Sequence, residues 1–441
     1  MTISGKSACA GNCEAPFRLP LNRKDSLFHD EDALFQELER IFDICYGCRR
    51  CLNLCNAFPT LVELVDESAT MELDSVAKQD YWKIVDNCYL CDLCYATKCP
   101  YIPPHEQSVD FPRLMLWAKA FNFSERGASF RDRLLASPGR IGRLATIPLV
   151  AQIINAAGNS RSLRSMLHLH PDAPLPACHR DTLRKRRNNL VSSASAAKSV
   201  DTGVVLFSTC FGNCNEPDPG DDLCAILEHN AIPVALPEKE HCCGMPRLEL
   251  GDLDAVEKAG KENIPLLAEW VDKGWSIVAP LPACVLMFKQ WLPLLFPDDP
   301  LVQKVRGAVF DPFEYLVQRH EEGRLKTDFK HSLGVVSYHL PCHLRVRNTG
   351  MNTRDILSLI PGTHVEVIAS CSGRGGSYAI KREHYEVSME LARPVVDRVR
   401  QVIPDHYGSD CPMAGRQIEN GLANGSRAEH PLTLLRRAYG I

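Results

Sequence analysis

The chain has 441 residues, of which 45% are hydrophobic and 24% charged, and its formal net charge is −4. That balance describes a folded protein of two or three domains, and it excludes both a disordered chain and one built to hold nucleic acid. Its 20 cysteines lie in groups along a long chain, and residues 1–17 carry no apolar signal-peptide core, so metal ligation in a reducing cytoplasm is expected rather than disulfides.

Residues 1–31 read as a disordered or extended N terminus, with Cys9 and Cys13 in polar surroundings and unliganded. Leu34, Phe35, Leu38, Ile41 and Phe42 then share one helical face and predict a helix that ends at the first cysteine run. Tyr81, Trp82, Ile84 and Val85 predict a short helix before the second run, and residues 111–120 predict a third. The first run is Cys45-x2-Cys48-x2-Cys51-x3-Cys55, and the second is Cys88-x2-Cys91-x2-Cys94-x4-Cys99-Pro100. Such triplets curl around a four-iron cubane and send the fourth cysteine to the other cluster. One cluster would take Cys45, Cys48, Cys51 and Cys99, and the other Cys88, Cys91, Cys94 and Cys55. Structural zinc prefers paired CxxC units, and a triplet with a distant fourth cysteine fits it poorly. Residues 32–125 are thus expected to form a helical ferredoxin-type domain with two 4Fe-4S clusters.

Residues 126–200 read as a helical connector and linker. The apolar stretch 144–157 is interrupted by Pro148, Gln152 and Asn155 and is too short to span a bilayer. Arg140 and Arg143 before it, and Arg161 and Arg164 after it, suit an interfacial segment at anionic lipid. The run Arg184, Lys185, Arg186 and Arg187 reads as solvated linker, and Cys178 as unliganded.

From residue 203 short β-rich runs alternate with helices, twice over, and predict two α/β domains at 201–325 and 326–441. Each run leads to cysteine: Val204–Phe207 to Cys210, Ile232–Leu236 to Cys242-Cys243-Gly244, and Ser276–Ala279 to Cys284. In the second domain Val335–Tyr338 leads to Cys342, His364–Ile368 to Cys371-Ser372-Gly373, and His406-Tyr407 to Cys411. Helices are expected between them, at 256–271 and 379–402. Adjacent thiolates meet one cluster only on a sharply bent loop, which Gly244 permits. Cys224 reads as a core residue and Cys214 as a spare thiol. His339 and His343 read as hydrogen-bonded core histidines, and Gly373–Gly376 as a loop hugging a cluster rather than phosphate. No nucleotide or flavin fingerprint is present, so a substrate-oxidising cofactor must come from a partner.

The two cysteine runs followed by tandem Cys…CCG…CPxC units resemble the heterodisulfide-reductase-related iron–sulfur proteins. That group includes the iron–sulfur subunits of glycolate oxidase and anaerobic glycerol-3-phosphate dehydrogenase. His339-x-Pro341-Cys342-His343, Gly375-Gly376-Ser377 and the tail His430-Pro431-Leu432-Thr433-Leu434-Leu435 extend the resemblance to the C terminus. It implies a helical ferredoxin domain joined to tandem α/β CCG domains; the chain's own residues read as cytoplasmic, soluble or peripheral at the inner membrane face. The implied role is an electron conduit between a flavoprotein or other redox subunit and a quinone or other acceptor. Thiol–disulfide reduction at a CCG-bound cluster, or non-catalytic redox sensing, stand as alternatives. The chain departs from the pattern at Leu281 and Ser372, where cysteines are expected, and at Ala414. Cys210, Cys242, Cys243 and Cys284 suffice for a third cluster. Cys342, Cys371 and Cys411 leave either a fourth cluster with one open iron or a structural relic.

Overall fold

The computed structural model describes residues 18–194 and 203–441. Cys9 and Cys13, and most of the expected disordered or extended N terminus, lie outside them. Residues 18–30 are docked and include a short turn of helix, Ser26–His29, rather than running extended: the Arg18 guanidinium sits 2.9 Å from Asp92 and 2.7 Å from Asp110, over the Trp291 ring.

The first long helix, Glu31–Cys48, starts where Asp30 accepts from the Ala33 amide and buries Leu34, Phe35, Leu38, Ile41 and Phe42. It runs past the expected end, so Cys45 and Cys48 occupy one face of its last turn. Helices Ala57–Asp66, Tyr81–Asp86 and Phe111–Arg126 follow, and the described residues before 191 contain no strand. The loop from Cys88 to Cys94 curls because Leu90 and Asp92 both take left-handed backbone, at φ 52° and 61°. Four short helices, Phe130–Leu135, Pro138–Ala145, Val150–Asn159 and Arg161–Met166, make the connector.

Two parallel sheets follow. The first has the order β1 (Val191–Ser192), β3 (Val234–Pro237), β2 (Val204–Leu206), β4 (Ser276–Val278), β5 (Val309–Phe310). The second has the order β7 (Thr363–Ile368), β6 (Gly334–His339), β8 (His406–Ser409). The repeat is visible in topology, because β3-β2-β4 and β7-β6-β8 place the second strand of each unit, then the first, then the third. All pairs are parallel, so each strand must return through a helix and the C-terminal ends collect on one edge.

The last helix of each unit packs on the other unit. Pro312–Glu321 lies on Asn352–Leu357, and Pro431–Tyr439 lies on Asp218–His229. Arg347 clamps the first exchange from 2.7 Å to Asp311, with Glu314 as its second partner, and its side chain is buried. Arg436 at 2.9 Å from Asp222 marks the second. One buried cluster joins Leu34 and Phe42 to Trp291 and Met287, and another joins Val204 and Leu223 to Val336 and Leu435. The cores are therefore continuous across the boundaries expected at 125, 200 and 325.

Two further sequence expectations change. The basic run is not solvated linker: Arg184 donates to the Pro237 carbonyl at 2.6 Å, and Arg187 pairs with Asp221 at 2.6 Å and with Glu228. Its partners lie more than a full strand–helix unit downstream, beyond the reach of local pattern. The helix expected over 379–402 begins only at Tyr385, because Tyr378–Ile380 closes the preceding loop as a separate turn.

Candidate metal centres

The three cysteine positions of each CCG unit sit just beyond the C-terminal ends of three neighbouring parallel strands. Cys210 opens the turn of helix after β2, Cys242-Cys243 follow β3, and Cys284 lies in Pro282–Leu286 after β4. The Cys210 thiol donates to the Cys242 sulfur at 3.6 Å, and Cys243 has Cys242 and Cys284 as its electrostatic neighbours. The four thiols expected in this unit therefore stand together. Gly244 takes φ +100°, a backbone that side chains rarely adopt, which allows the adjacent pair to bend inward. Gly142 lets Pro138–Ala145 close over this group, since a Cβ there would lie 2.7 Å from the Cys214 sulfur. Cys214 is buried beside Cys178, and Cys224 is wholly buried among apolar side chains.

In the second unit Cys342, Cys371 and Cys411 are electrostatic neighbours, with Arg374 against Cys411. Ser372 stands where the first unit has Cys243. His339 ties the strand ends together: its Nε2–H donates to the Ser370 carbonyl at 3.1 Å, which leaves Nδ1 to accept from the Ser409 hydroxyl at 2.9 Å. Burial holds His339 near 4, so it is neutral and structural. His343 is likewise pushed down to about 4 by burial and lines the cavity described below.

The N-terminal runs sort into two groups. Cys45 has Cys51, Cys99 and Cys48 as its electrostatic neighbours, while Cys94 has Cys88, Cys91, Cys55 and then Cys51. The distant fourth cysteine of each run thus lies with the other run's triplet. Cys91 also neighbours Cys371 and Cys88, and Cys342 neighbours Cys91 before Cys371 and Cys411. The second N-terminal group and the second CCG group therefore abut.

Burial sets the electrostatics of these thiols. Burial, reinforced by neighbouring sulfurs, raises Cys45, Cys55, Cys94 and Cys342 well above the ordinary thiol range. Burial pushes Cys51 and Cys88 to about 11. Cys242 is held well below it by the hydrogen bonds it accepts from Cys210 and Cys243. Ligands must be deprotonated to bind metal, so a cluster bound by such groups would displace several protons. Among the described residues no three His, Cys, Asp or Glu side chains are disposed to hold a single ion. An iron–sulfur cluster asks for something different, one thiolate on each of several irons, and all-sulfur donor sets of four suit it.

A cavity of about 580 Å³ lies between the two CCG units, walled by Cys210, Cys243, Cys284, Cys342, Cys371 and Cys411. Glu249 is another part of its wall, and burial pushes this carboxyl from the usual 4.5 to about 7, with Lys119 and Lys381 opposing the shift. A carboxyl raised in the fold prefers its proton there, so it costs stability as pH climbs from about 4.5 through about 7. Glu249→Gln is therefore expected to raise the melting temperature at pH 8 and to change it little at pH 5. A larger gain at pH 5 would contradict this.

Comparison with known proteins places the fold. The cysteine-rich domain (CCG) model matches twice, at residues 204–289 and 336–418. The chain is 31% identical over 318 residues to one of the subunits of the anaerobic glycerol-3-phosphate dehydrogenase of Escherichia coli K12, covering 70% of this chain and 77% of that one. It is 24% identical over 382 residues to one of the subunits of the CoM/CoB fumarate reductase of Methanothermobacter marburgensis, covering 81% and 72%. With lactate utilization protein A 2 of Bacillus mycoides it shares 29% over 215 residues, covering 47% and 87%. Two parallel α/β units with cysteines at their strand ends define a tandem cysteine-rich protein. The chain belongs to the CCG family of iron–sulfur proteins.

Proposed function

We propose that the chain is the iron–sulfur electron-transfer subunit of an oxidoreductase complex, and that its thiolate groups form one line. Cys45, Cys48, Cys51 and Cys99 would hold a 4Fe-4S cluster, and Cys55, Cys88, Cys91 and Cys94 a second, in a helical ferredoxin-type part at 32–125. Cys210, Cys242, Cys243 and Cys284 would hold a third. The observation that carries this reading is the contiguity: Cys94 neighbours Cys51 on one side, and on the other Cys91 shares the wall of one cavity with Cys210, Cys243 and Cys284. The relatives named as dehydrogenase and reductase subunits support a partner that supplies electrons, and the absence of a flavin fingerprint here fits a flavoprotein in that role. The acceptor lies at the cavity between the CCG units. No helix among the described residues is long and apolar enough to cross a membrane.

Anaerobic purification of the full chain should yield about twelve irons and about twelve sulfides, with paramagnetic signals on reduction. Bound zinc with little iron would overturn the reading. A flavoprotein encoded beside it should co-purify and reduce those signals on addition of its substrate.

A further inference from the structure

The chain enters the first CCG centre through a backbone that its own residue resists. Thr209, between β2 and Cys210, takes φ 62° and ψ 155°. Glycine alone occupies that region at ease, and a β-branched side chain is strained there. The Thr209 hydroxyl accepts from the Gly212 amide at 2.8 Å and caps the turn of helix that carries Cys210. Strain of this kind persists only where the surroundings hold it. Ser208 and Thr209 are both buried, so the holding groups belong to the protein.

The holding group is one carboxyl. Glu240, two residues before Cys242, accepts at Oε2 from the Ser208 amide at 2.9 Å and from the Ser208 hydroxyl at 2.8 Å. The Thr209 amide is a further neighbour of the same carboxyl. Only 7% of the Glu240 side chain is exposed, and the Arg184 Nη1, which has no hydrogen-bond partner, stands 3.7 Å from Oε2. Arg184 is itself fixed at the end of β3 by the Pro237 carbonyl at 2.6 Å and the Glu238 carbonyl at 3.0 Å. Losing such an acceptor is costly, because its donors are left unpaired away from water. One side chain thus staples the end of β2 to the end of β3. Cys210 and Cys242 leave the sheet at those two points, and their sulfurs stand 3.6 Å apart.

The second unit has neither the strain nor the carboxyl. Pro341 stands where the first has Thr209, at an ordinary φ of −69°, and Ala369 stands where it has Glu240. The neutral His339 ties those strand ends instead. The cation beside Cys411 there, Arg374, gives one hydrogen bond to the Pro174 carbonyl at 3.2 Å, and its Nε has no partner. Strain and staple therefore occur together in the unit with four thiols, and both are missing from the unit with three.

We propose that Glu240 is the positioning residue of the first CCG centre: its hydrogen bonds hold the strained Ser208–Thr209 backbone and so set Cys210 against Cys242 for metal binding. This rests on the reading that Cys210, Cys242, Cys243 and Cys284 hold a cluster, and it names the side chain that sets their geometry.

The test uses the full chain, purified anaerobically, with iron content and paramagnetic resonance as readouts. Glu240→Ala should lose about four of about twelve irons, together with the third cluster's signal. The signals of the N-terminal clusters should persist in that variant, which shows that the chain still folds. Glu240→Gln keeps an oxygen that accepts from Ser208, and it should retain both the irons and the signal. Adding Thr209→Gly to Glu240→Ala should restore both, because glycine adopts that backbone without help and is itself a tolerable helix cap. Wild-type iron and signal in Glu240→Ala overturn the proposal. So does a double variant no better than Glu240→Ala, or a Glu240→Gln variant that fails as Glu240→Ala does. A wild type without the third signal overturns the cluster assignment itself, and this inference with it.

Discussion

Cys91→Ser is expected to remove about four irons, to separate the N-terminal clusters electronically from the CCG half, and to lower stability by more than about 4 kcal/mol. Three observations set that size. Cys91 lies in a loop whose shape depends on left-handed Leu90 and Asp92, so the loop has little intrinsic preference for its fold. Its sulfur neighbours Cys371 and Cys88, at the junction of two parts of the molecule. Residues around it belong to the buried cluster that runs from Leu34 to Trp291, so disorder there spreads into the first CCG unit. Binding energy at such a centre is folding energy. Cys48→Ser is the control. Cys48 closes a helix that carries its own buried face and N-cap, and the thiol is half-exposed. It should cost as much iron with a smaller drop in melting temperature. Equal destabilisation by the two variants, measured by circular dichroism, would show that position in the line does not matter.

Much of this was legible in the sequence, for physical reasons that can be named. The helix around Leu34 to Phe42 showed because its apolar period is local, and the cysteine groupings showed because short spacings fix which thiols curl together. The repeat showed because each strand ends at a cysteine. The exchange of final helices did not show. Pro312–Glu321 and Pro431–Tyr439 have the same amphipathic pattern whichever unit receives them, and the choice is made by Arg347 with Asp311 and by Arg436 with Asp222. Such pairs join residues far apart in the chain. The docking of Arg184 and Arg187 was hidden in the same way, and β1 is two residues long, too short to carry a period. Arg374 gave no signal at all, because a buried, half-paired arginine looks like any other arginine until the cavity around it is known.

The two CCG units should respond differently to the loss of a cysteine. In the first, Cys243 neighbours Cys242 and Cys284, and Cys210 stands 3.6 Å from Cys242, so four thiols share one centre. Cys243→Ala leaves three and takes one from the adjacent pair that Gly244 bends inward. It should remove about four irons per chain and abolish transfer to the acceptor. In the second unit Cys342, Cys371 and Cys411 gather, but Ser372 fills the position of the fourth, and a hydroxyl that keeps its proton near neutral pH is a poor iron ligand. Cys371→Ala should therefore change iron content much less. Its sulfur accepts from the Gly373 amide at 3.3 Å, and Gly373 is locked in place, since a Cβ there would lie 2.0 Å from the Ser388 carbonyl oxygen. The Ser388 hydroxyl also donates to the Gly373 carbonyl at 2.8 Å, which holds the loop in the variant and keeps the comparison clean. Paramagnetic resonance of both reduced proteins separates the cases. If Cys371→Ala loses a distinct signal and Cys243→Ala keeps all of them, the second unit holds the working cluster. Three thiolates beside Cys91 would then present an open iron to the cavity, and the serine would be the feature that opens it.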